Sequence, residues 1–361
     1  MFPARVAAVT VEAMRRAADT TTRVTIKEVA AAAGVSPTTV SHTLSGKRRV
    51  DPETRARVVE TADRLGYRAN RTARALRAGG TSTIAFMLPY QAADTADGEV
   101  ELQEMLDLEY YMRIASAAAT TAFESGHALL LTPRVEDRAQ LDALGFDGAI
   151  VCDPVRGDRR LRQLEEAGIP AVTIERELDQ PEHRWYVAGD NRQNMRRLLD
   201  HLEAVGARRI ALLSAAGDWA WAAESEEAFG DWSAERGREA LIEPTSLRDL
   251  ERSAYERTIE LLGRDPRPDA IVALGADYPS GVLRAARERG LQVPRDLLVA
   301  AGIDGGNVRH SHPPVTAIDL QPDLQGAAAA RLLIARLRGA DVARPCTTPS
   351  LLHVRASTRP A

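Results

Sequence analysis

Residues 24–77 read VTIKEVAAAAGVSPTTVSHTLSGKRRVDPETRARVVETADRLGYRANRTARALR. Thr25 and Glu28 stand three apart and predict a capping box, which starts a first helix. Ile26, Val29, Ala30 and Ala33 follow at helical spacing. Gly34 predicts a tight turn. Ser36 is placed to cap a second helix, with Pro37 at its first position. Val40 and Leu44 are expected to face inward with Val35, leaving Thr38, Thr39, Ser41 and His42 outside or on the flank. Asp51-Pro52 starts a third helix, whose expected inward stripe is Val58, Val59, Ala62 and Leu65, with Gly66 ending it. Three short helices, the second beginning with small polar side chains, form a module suited to a DNA groove.

The charge agrees. Residues 24–80 carry 11 Lys/Arg against 5 Asp/Glu, whereas the chain as a whole is −4. Residues 1–23 add 4 Arg against 2 acids, so the 281 residues after position 80 hold a net −12. A small part built to meet phosphate and a large part built to avoid it produce this asymmetry.

The run T-I-K-E-V-A-x-x-A-G-V-S-x-x-T-V-S at Thr25–Ser41 resembles the LacI/GalR family of bacterial transcriptional repressors. Thr54-Arg55-x-x-Val58, Leu65-Gly66-Tyr67 and Asn70-x-x-Ala73-x-x-Leu76 extend the resemblance. It implies that Pro37, Thr38 and His42 stand where base edges are read. Thr38 and His42, four apart, share one helix face. Threonine suits a thymine methyl or a hydrogen-bonding edge, and histidine a purine or, alternatively, a phosphate. Pro37, with no N–H, packs. Ser36, Thr39, Ser41, Thr54 and Arg55 are placed to hold phosphates, which set register without reading sequence. The resemblance makes residues 70–80 a hinge helix and linker. Asn70, Ala73 and Leu76 then meet the minor groove, with Leu76 as the wedge; the alternative is a linker leucine packed on the next domain. So short a helix is marginal alone and is expected to fold on DNA.

From Thr83 the texture alternates between strand and helix. Apolar runs at Thr83–Leu88, His127–Leu131, Gly148–Cys152, Pro170–Ile174, Arg209–Leu213, Ala270–Leu274 and Leu297–Ala300 predict strands. Amphipathic stretches such as Tyr111–Ser125, Arg192–Val205, Pro279–Arg289 and Leu324–Leu337 separate them. This pattern predicts parallel sheets covered on both faces. The expected fold is an all-α helix-turn-helix head, residues 24–69, joined to an α/β core of two subdomains with parallel sheets, residues 81–361. The resemblance makes that core periplasmic-binding-protein-like, with crossings near 186–190, 315–319 and 345. The first subdomain is expected to hold 81–186 and 319–345, and the second 187–318 and 346–361. Residues 1–23 are expected to be a disordered extension.

Ligands of open α/β sheets sit at the carboxyl ends of strands. The residues expected there are Tyr90, Glu175, Arg176, Asp190, Trp219, Trp221, Asp277 and Asp304. Carboxylates and indoles suit a polyhydroxylated ligand of the sugar type. Asp190 and Asp277 have the alternative of capping helices, and the tryptophans of packing a loop. Alignment through Phe229 places Ser225 where the family usually has an arginine, and Ala276-Asp277 replaces the usual Asn-Asp. Residues 91–109 form an acidic insertion where the family has a short loop.

The length suits two or three domains, and 44% apolar content supports a substantial core. Cys152 and Cys346 lie far apart and predict reduced thiols rather than a metal site. No apolar run reaches a membrane span of about 18 residues, and no export signal is evident. The sequence holds no nucleophile elbow, phosphate-cradling loop or metal-ligand cluster; His310 and His312 read as turn residues. The expectation is a cytoplasmic homodimeric repressor, not an enzyme, with operator DNA and a small-molecule effector as partners and no cofactor.

Overall fold

The structure, a computed structural model, describes residues 24–45, 50–67, 80–89, 109–132, 135, 137–246, 249–342 and 344–359. It divides into two compact units at Thr81–Ser82. The expected extension at 1–23, the hinge residues Asn70, Ala73 and Leu76, and Tyr90 lie outside the described residues.

The first unit contains α1 (Ile26–Ala33), α2 (Pro37–Ser45) and α3 (Pro52–Arg64). Each start is fixed locally. Glu28 N donates to Thr25 Oγ1 at 3.4 Å while Thr25 N donates back to Glu28 at 2.6 Å, closing the capping box. Thr39 N donates to Ser36 Oγ at 3.1 Å, and Thr54 N to Asp51 Oδ2 at 3.1 Å. Gly34 ends α1 with φ 66°, a conformation a side chain would strain. Val29, Ala30, Ala33, Val40, Val58 and Ala62 form the core, with Val35, Leu65 and Tyr67 against it.

Two inward residues were misplaced by periodicity. Leu44 is 39% exposed and Val59 40%, while Thr43 and Thr61 are buried. Val59 stands about 100° around the helix from the buried Val58, and Leu44 belongs to the last turn of α2. A core this small covers only a narrow stripe of each helix, and the hydrophobic pattern alone does not say which edge of the stripe it covers.

The second unit holds β1 (Thr83–Met87), α4 (Glu109–Glu124), β2 (Ala128–Thr132), α5 (Arg138–Leu144), β3 (Gly148–Cys152), α6 (Arg159–Glu166), β4 (Ala171–Ile174) and β5 (Tyr186–Ala188). It continues with α7 (Asn191–Ala204), β6 (Ile210–Ala215), α8 (Ala220–Glu235), β7 (Leu241–Thr245), α9 (Leu250–Leu262), β8 (Ala270–Ala273), α10 (Tyr278–Glu288), β9 (Leu298–Ala301) and α11 (Gly306–Arg309). β10 (Thr316–Asp319), α12 (Pro322–Leu337), β11 (Cys346–Thr347) and β12 (Leu351–His353) complete it.

The strands form two six-stranded sheets, ordered β11-β5-β4-β3-β1-β2 and β12-β10-β9-β8-β6-β7. Among the described residues every strand pairing is parallel except β10 with β12. The chain passes from the first sheet to the second after Ala188, back after Asp319, and across again after Thr347. Thus 186–188 and 316–319, expected as connections, are strands, and Cys346–Thr347 lies in the first sheet. Five strands were not anticipated: β5, β7, β10, β11 and β12. They sit at or next to the sheet edges, and β5, β11 and β12 span only two or three residues; β7 even carries Pro244, tolerable because it pairs only with β6.

Central strands are continuous apolar runs because helices cover both faces. In the first lobe α4 and α12 seal one face around Ile114, Ile150 and Leu333, and α5 and α6 the other around Leu141, Val151 and Leu164. In the second lobe, α7 and α8 pack Leu198, Phe229 and Trp232 on one face; α9 and α10 pack Leu261 and Val282 on the other. Two glycines set the helix approach. A Cβ at Gly326 in α12 would drive into the Ile114 carbonyl of α4, and one at Gly281 in α10 into the Glu251 carbonyl of α9. Backbone cannot yield as a side-chain tip does. Gly326→Ala and Gly281→Ala are each expected to destabilise this unit by about 1–3 kcal/mol, read as a lower urea midpoint with the m-value unchanged.

Candidate nucleic-acid interface and ligand cleft

In the first unit α2 presents its N-terminal turn outward. Ser36, Pro37 and Thr38 are exposed, and Thr39, Ser41 and His42 half-buried. The Ser36 and Thr39 hydroxyls lie 2.9 Å apart, which holds the first turn of α2 in one arrangement. Arg55 is exposed on α3, and the Thr54 hydroxyl bonds Asp51 at 3.3 Å. Arg57 Nε donates to Ala33 O at 3.0 Å, tying α3 to the last turn of α1. That contact was not anticipated; Arg57 carries no signal distinguishing it from its neighbours.

In the second unit the strand-end residues fall into two groups. The first surrounds the ends of β3 and β4. Asp153 and Glu175 follow these strands directly, and both are in the left-handed region, with φ 40° and 69°. Both are 4% exposed. The Tyr111 hydroxyl donates to Asp153, and Tyr110, edge-on to Tyr111, donates to Gln325 Oε1 at 2.6 Å. Asn191, the first residue of α7, donates from Nδ2 to Glu175 and to Glu224 of α8, each at 2.9 Å. Arg176 pairs with Glu224. Burial pushes the Asp153 carboxyl up to about 6, against Tyr111 and Arg160. Burial and then the Asp153 charge lift Glu175 to about 8, with Asn191 pulling the other way. At neutral pH Glu175 thus keeps its proton, whereas Asp153 gives its proton up just below neutrality.

The second group surrounds β8 and β9. Asp277 accepts from Asn307 and is raised by burial; it makes no side-chain cap to α10. Asp304, 5% exposed, is gripped by two Arg355 nitrogens at 2.9 Å, with Arg309 at 3.4 Å.

The remaining residues have local duties. Asp190 is exposed and caps α7 through Gln193 N at 2.9 Å. Trp219 is buried at the start of α8, with Trp221 stacked on it at 6.0 Å between ring centres. Ser225 is buried within α8. The loops carrying Val155 and Trp219 join the two lobes through a backbone bridge, and Arg156 N donates to Asp218 O at 3.1 Å. Asp153 could have been found from sequence, since it follows GAIVC as Glu175 follows PAVTI. Asn191 stands beside the expected Asp190 at the start of a helix; Glu224, Arg309 and Arg355 could not have been found, because no spacing links them to their partners. Among the described residues, no cluster of His, Cys, Asp or Glu is placed to hold a metal, and no helix is long and apolar enough to cross a membrane.

Residues 25–70 match the family described as bacterial regulatory proteins, lacI family, and residues 199–358 match a periplasmic binding protein-like domain. The chain is 30% identical over 329 residues to the HTH-type transcriptional regulator CelR of Thermobifida fusca, covering 88% of this chain and 93% of the relative. It is 26% identical to the HTH-type transcriptional repressor PurR of Mannheimia succiniciproducens, over 89% of this chain and 94% of that one. Among solved structures, a CelR–cellobiose complex aligns with a TM-score of 0.69 and 28% identity, covering 93% of this chain and all of that one. A Lac repressor dimer bound to operator and the anti-inducer ONPF aligns with a TM-score of 0.79 and 22% identity, covering 93% and 99%.

Proposed function

The chain belongs to the LacI family of bacterial transcriptional regulators, which are not enzymes, and from that premise we propose that it is a repressor. It binds a palindromic operator as a homodimer in the cytoplasm, and a small molecule held between the lobes of the second unit changes its DNA affinity. The observation that carries this reading is the outward N-terminal turn of α2, Ser36–Thr38, on a positively charged head joined to an acidic core. Thr38 and His42 read bases, with Pro37 packed beside them. Ser36, Thr39, Ser41, Thr54 and Arg55 hold phosphates. A dimer sets two such helices about one duplex turn apart, which is why a palindrome is the matching target. Asn70, Ala73 and Leu76 engage the minor groove at its centre, Leu76 as a wedge that kinks the duplex.

The ligand is of the sugar type. A relative solved with cellobiose and the carboxylate–amide network of Glu175, Asn191 and Glu224 support this class. Carboxylates and amides match hydroxyl groups as acceptors and donors. Tyr90, Arg176, Asp190, Trp219, Trp221, Ser225, Asp277 and Asp304 are the other candidates for contact, directly or by shaping the walls. Binding that favours one lobe arrangement shifts the population competent for DNA.

Fluorescence anisotropy on the promoter region beside its own gene tests the proposal. Tight binding there and weak binding to scrambled duplex is expected, each weakening with salt as phosphate contacts are screened. Equal affinity for both duplexes at moderate salt overturns it. Leu76→Ala is expected to lower operator affinity about 10–100-fold, about 1.4–2.8 kcal/mol, and scrambled-duplex affinity little. An equal loss on both sinks the wedge.

A further inference from the structure

Between the lobes runs a series of charges, of which Asp304 alone is also among the proposed ligand contacts. Glu109 opens α4 in the first lobe. Its Oε2 accepts from Gly306 N at 2.6 Å, and its Oε1 lies 2.6 Å from Arg309 Nη2; both partners are in the second lobe. On the first-lobe side, Arg113 stands 3.8 Å from Glu109 and pairs with Asp323 of α12. On the second-lobe side, Arg309 reaches Asp304, and Arg355 fixes Asp304 while donating to Val315 O at 2.7 Å. Two positioned arginines therefore back a single interlobe contact from opposite sides. Partial burial works against the Glu109 charge, but Arg309 and the Gly306 N–H outweigh it and hold its pKa below the ordinary value.

We propose that Glu109 and Arg309 form a built-in clasp that sets the resting closure of the two lobes and so the concentration of effector needed for switching. The proposal rests on the reading of the second unit as a ligand-responsive regulator. A contact made only when the lobes are together contributes its whole free energy to the closed state, and so moves the open–closed population. A side chain-to-side chain ion pair that is a third exposed is worth little alone. The clasp differs because the same carboxylate also takes a backbone N–H, a charge-assisted bond whose donor is already fixed in place. Asp304 is then a positioning residue: it orients Arg309 and is itself neutralised by Arg355.

The population is measurable without knowing the ligand or the operator. Spin labels at Glu165→Cys in α6 and Arg287→Cys in α10, both exposed and one in each lobe, report interlobe distance by pulsed dipolar spectroscopy. Cys346→Ser removes the half-buried native thiol, and Cys152 is buried. Labelled full-length chain is diluted with unlabelled chain to isolate distances within one protomer. Glu109→Ala is expected to shift the distribution toward wider separations, the closed fraction falling about threefold to tenfold. Glu109→Gln, which keeps an acceptor for Gly306 N, is expected to fall between. Apparent effector affinity follows the closed fraction. Unchanged thermal unfolding accompanies the shift if the clasp acts between lobes. Identical distance distributions in wild type and Glu109→Ala overturn the clasp, whether or not the protein binds operator DNA.

Discussion

Arg160→Met is expected to lower the stability of the α/β unit by about 3–5 kcal/mol, the range for breaking one partner out of a buried ion pair. Arg160 is 4% exposed and Asp158 3%. The guanidinium reaches Asp158 with Nε at 3.0 Å and Nη2 at 2.6 Å. It also donates to Leu88 O at 2.6 Å and Cys152 O at 2.9 Å, the carboxyl ends of β1 and β3. Methionine fills similar volume but leaves these carbonyls and a buried carboxylate without their donor. Burial works against the Asp158 charge, and Arg160 is the main group holding its pKa below the ordinary value. In the variant Asp158 takes up a proton more readily. Urea unfolding of the full chain measures the loss, and adding Asp158→Asn is expected to recover part of it by removing the stranded charge. A loss below about 1 kcal/mol would mean that water replaces the guanidinium, contrary to the burial of the site.

Glu175→Gln is expected to stabilise the protein at neutral and alkaline pH, an unusual sign for a substitution at a proposed binding site. Glu175 is raised to about 8 from 4.5, and Asp153 to about 6 from 3.8. Below the ordinary values both carboxyls are protonated in the folded and unfolded chains, and their stability contribution is fully present. As pH rises the unfolded chain gives up its protons first, so stability is lost until the folded pKa values are passed. The wild-type melting temperature should therefore fall between about pH 4.5 and pH 8. Glutamine keeps an acceptor for Asn191 and carries no charge. The variant is expected to exceed wild type by about 1–3 kcal/mol at pH 8, with the gap closing toward pH 4.5. A pH-independent gap would remove the buried carboxylate as its cause.

Both effects arise at strand ends, and the two kinds of residue there differ in how visible they were. Glu175 was expected because it follows PAVTI, at the carboxyl end of an apolar strand, where ligands of open α/β sheets bind. Asp153 follows GAIVC in the same way and was passed over. The pair becomes significant only because β3 and β4 are adjacent, which a linear reading does not state. Asp304 was expected as a free ligand contact; its two oxygens are held by an arginine 51 residues away. The capping roles of Ser36 and Asp51 were legible because donor and acceptor lie three residues apart. Leu44 and Val59 were assigned inward on period alone, and the small head core left them exposed.

Local physics, then, is what the chain's letters settled unaided: helix starts, the glycine turn, the buried central strands, the basic head against an acidic body, and the family. These depend on groups within a few residues of one another or on summed composition. Tertiary structure alone decided which edge strands complete the sheets, which carboxylates are buried side by side, and which arginines cross from lobe to lobe. Proton affinity and ion pairing depend on solvent exclusion and on distance in space, and neither quantity is carried by separation along the chain.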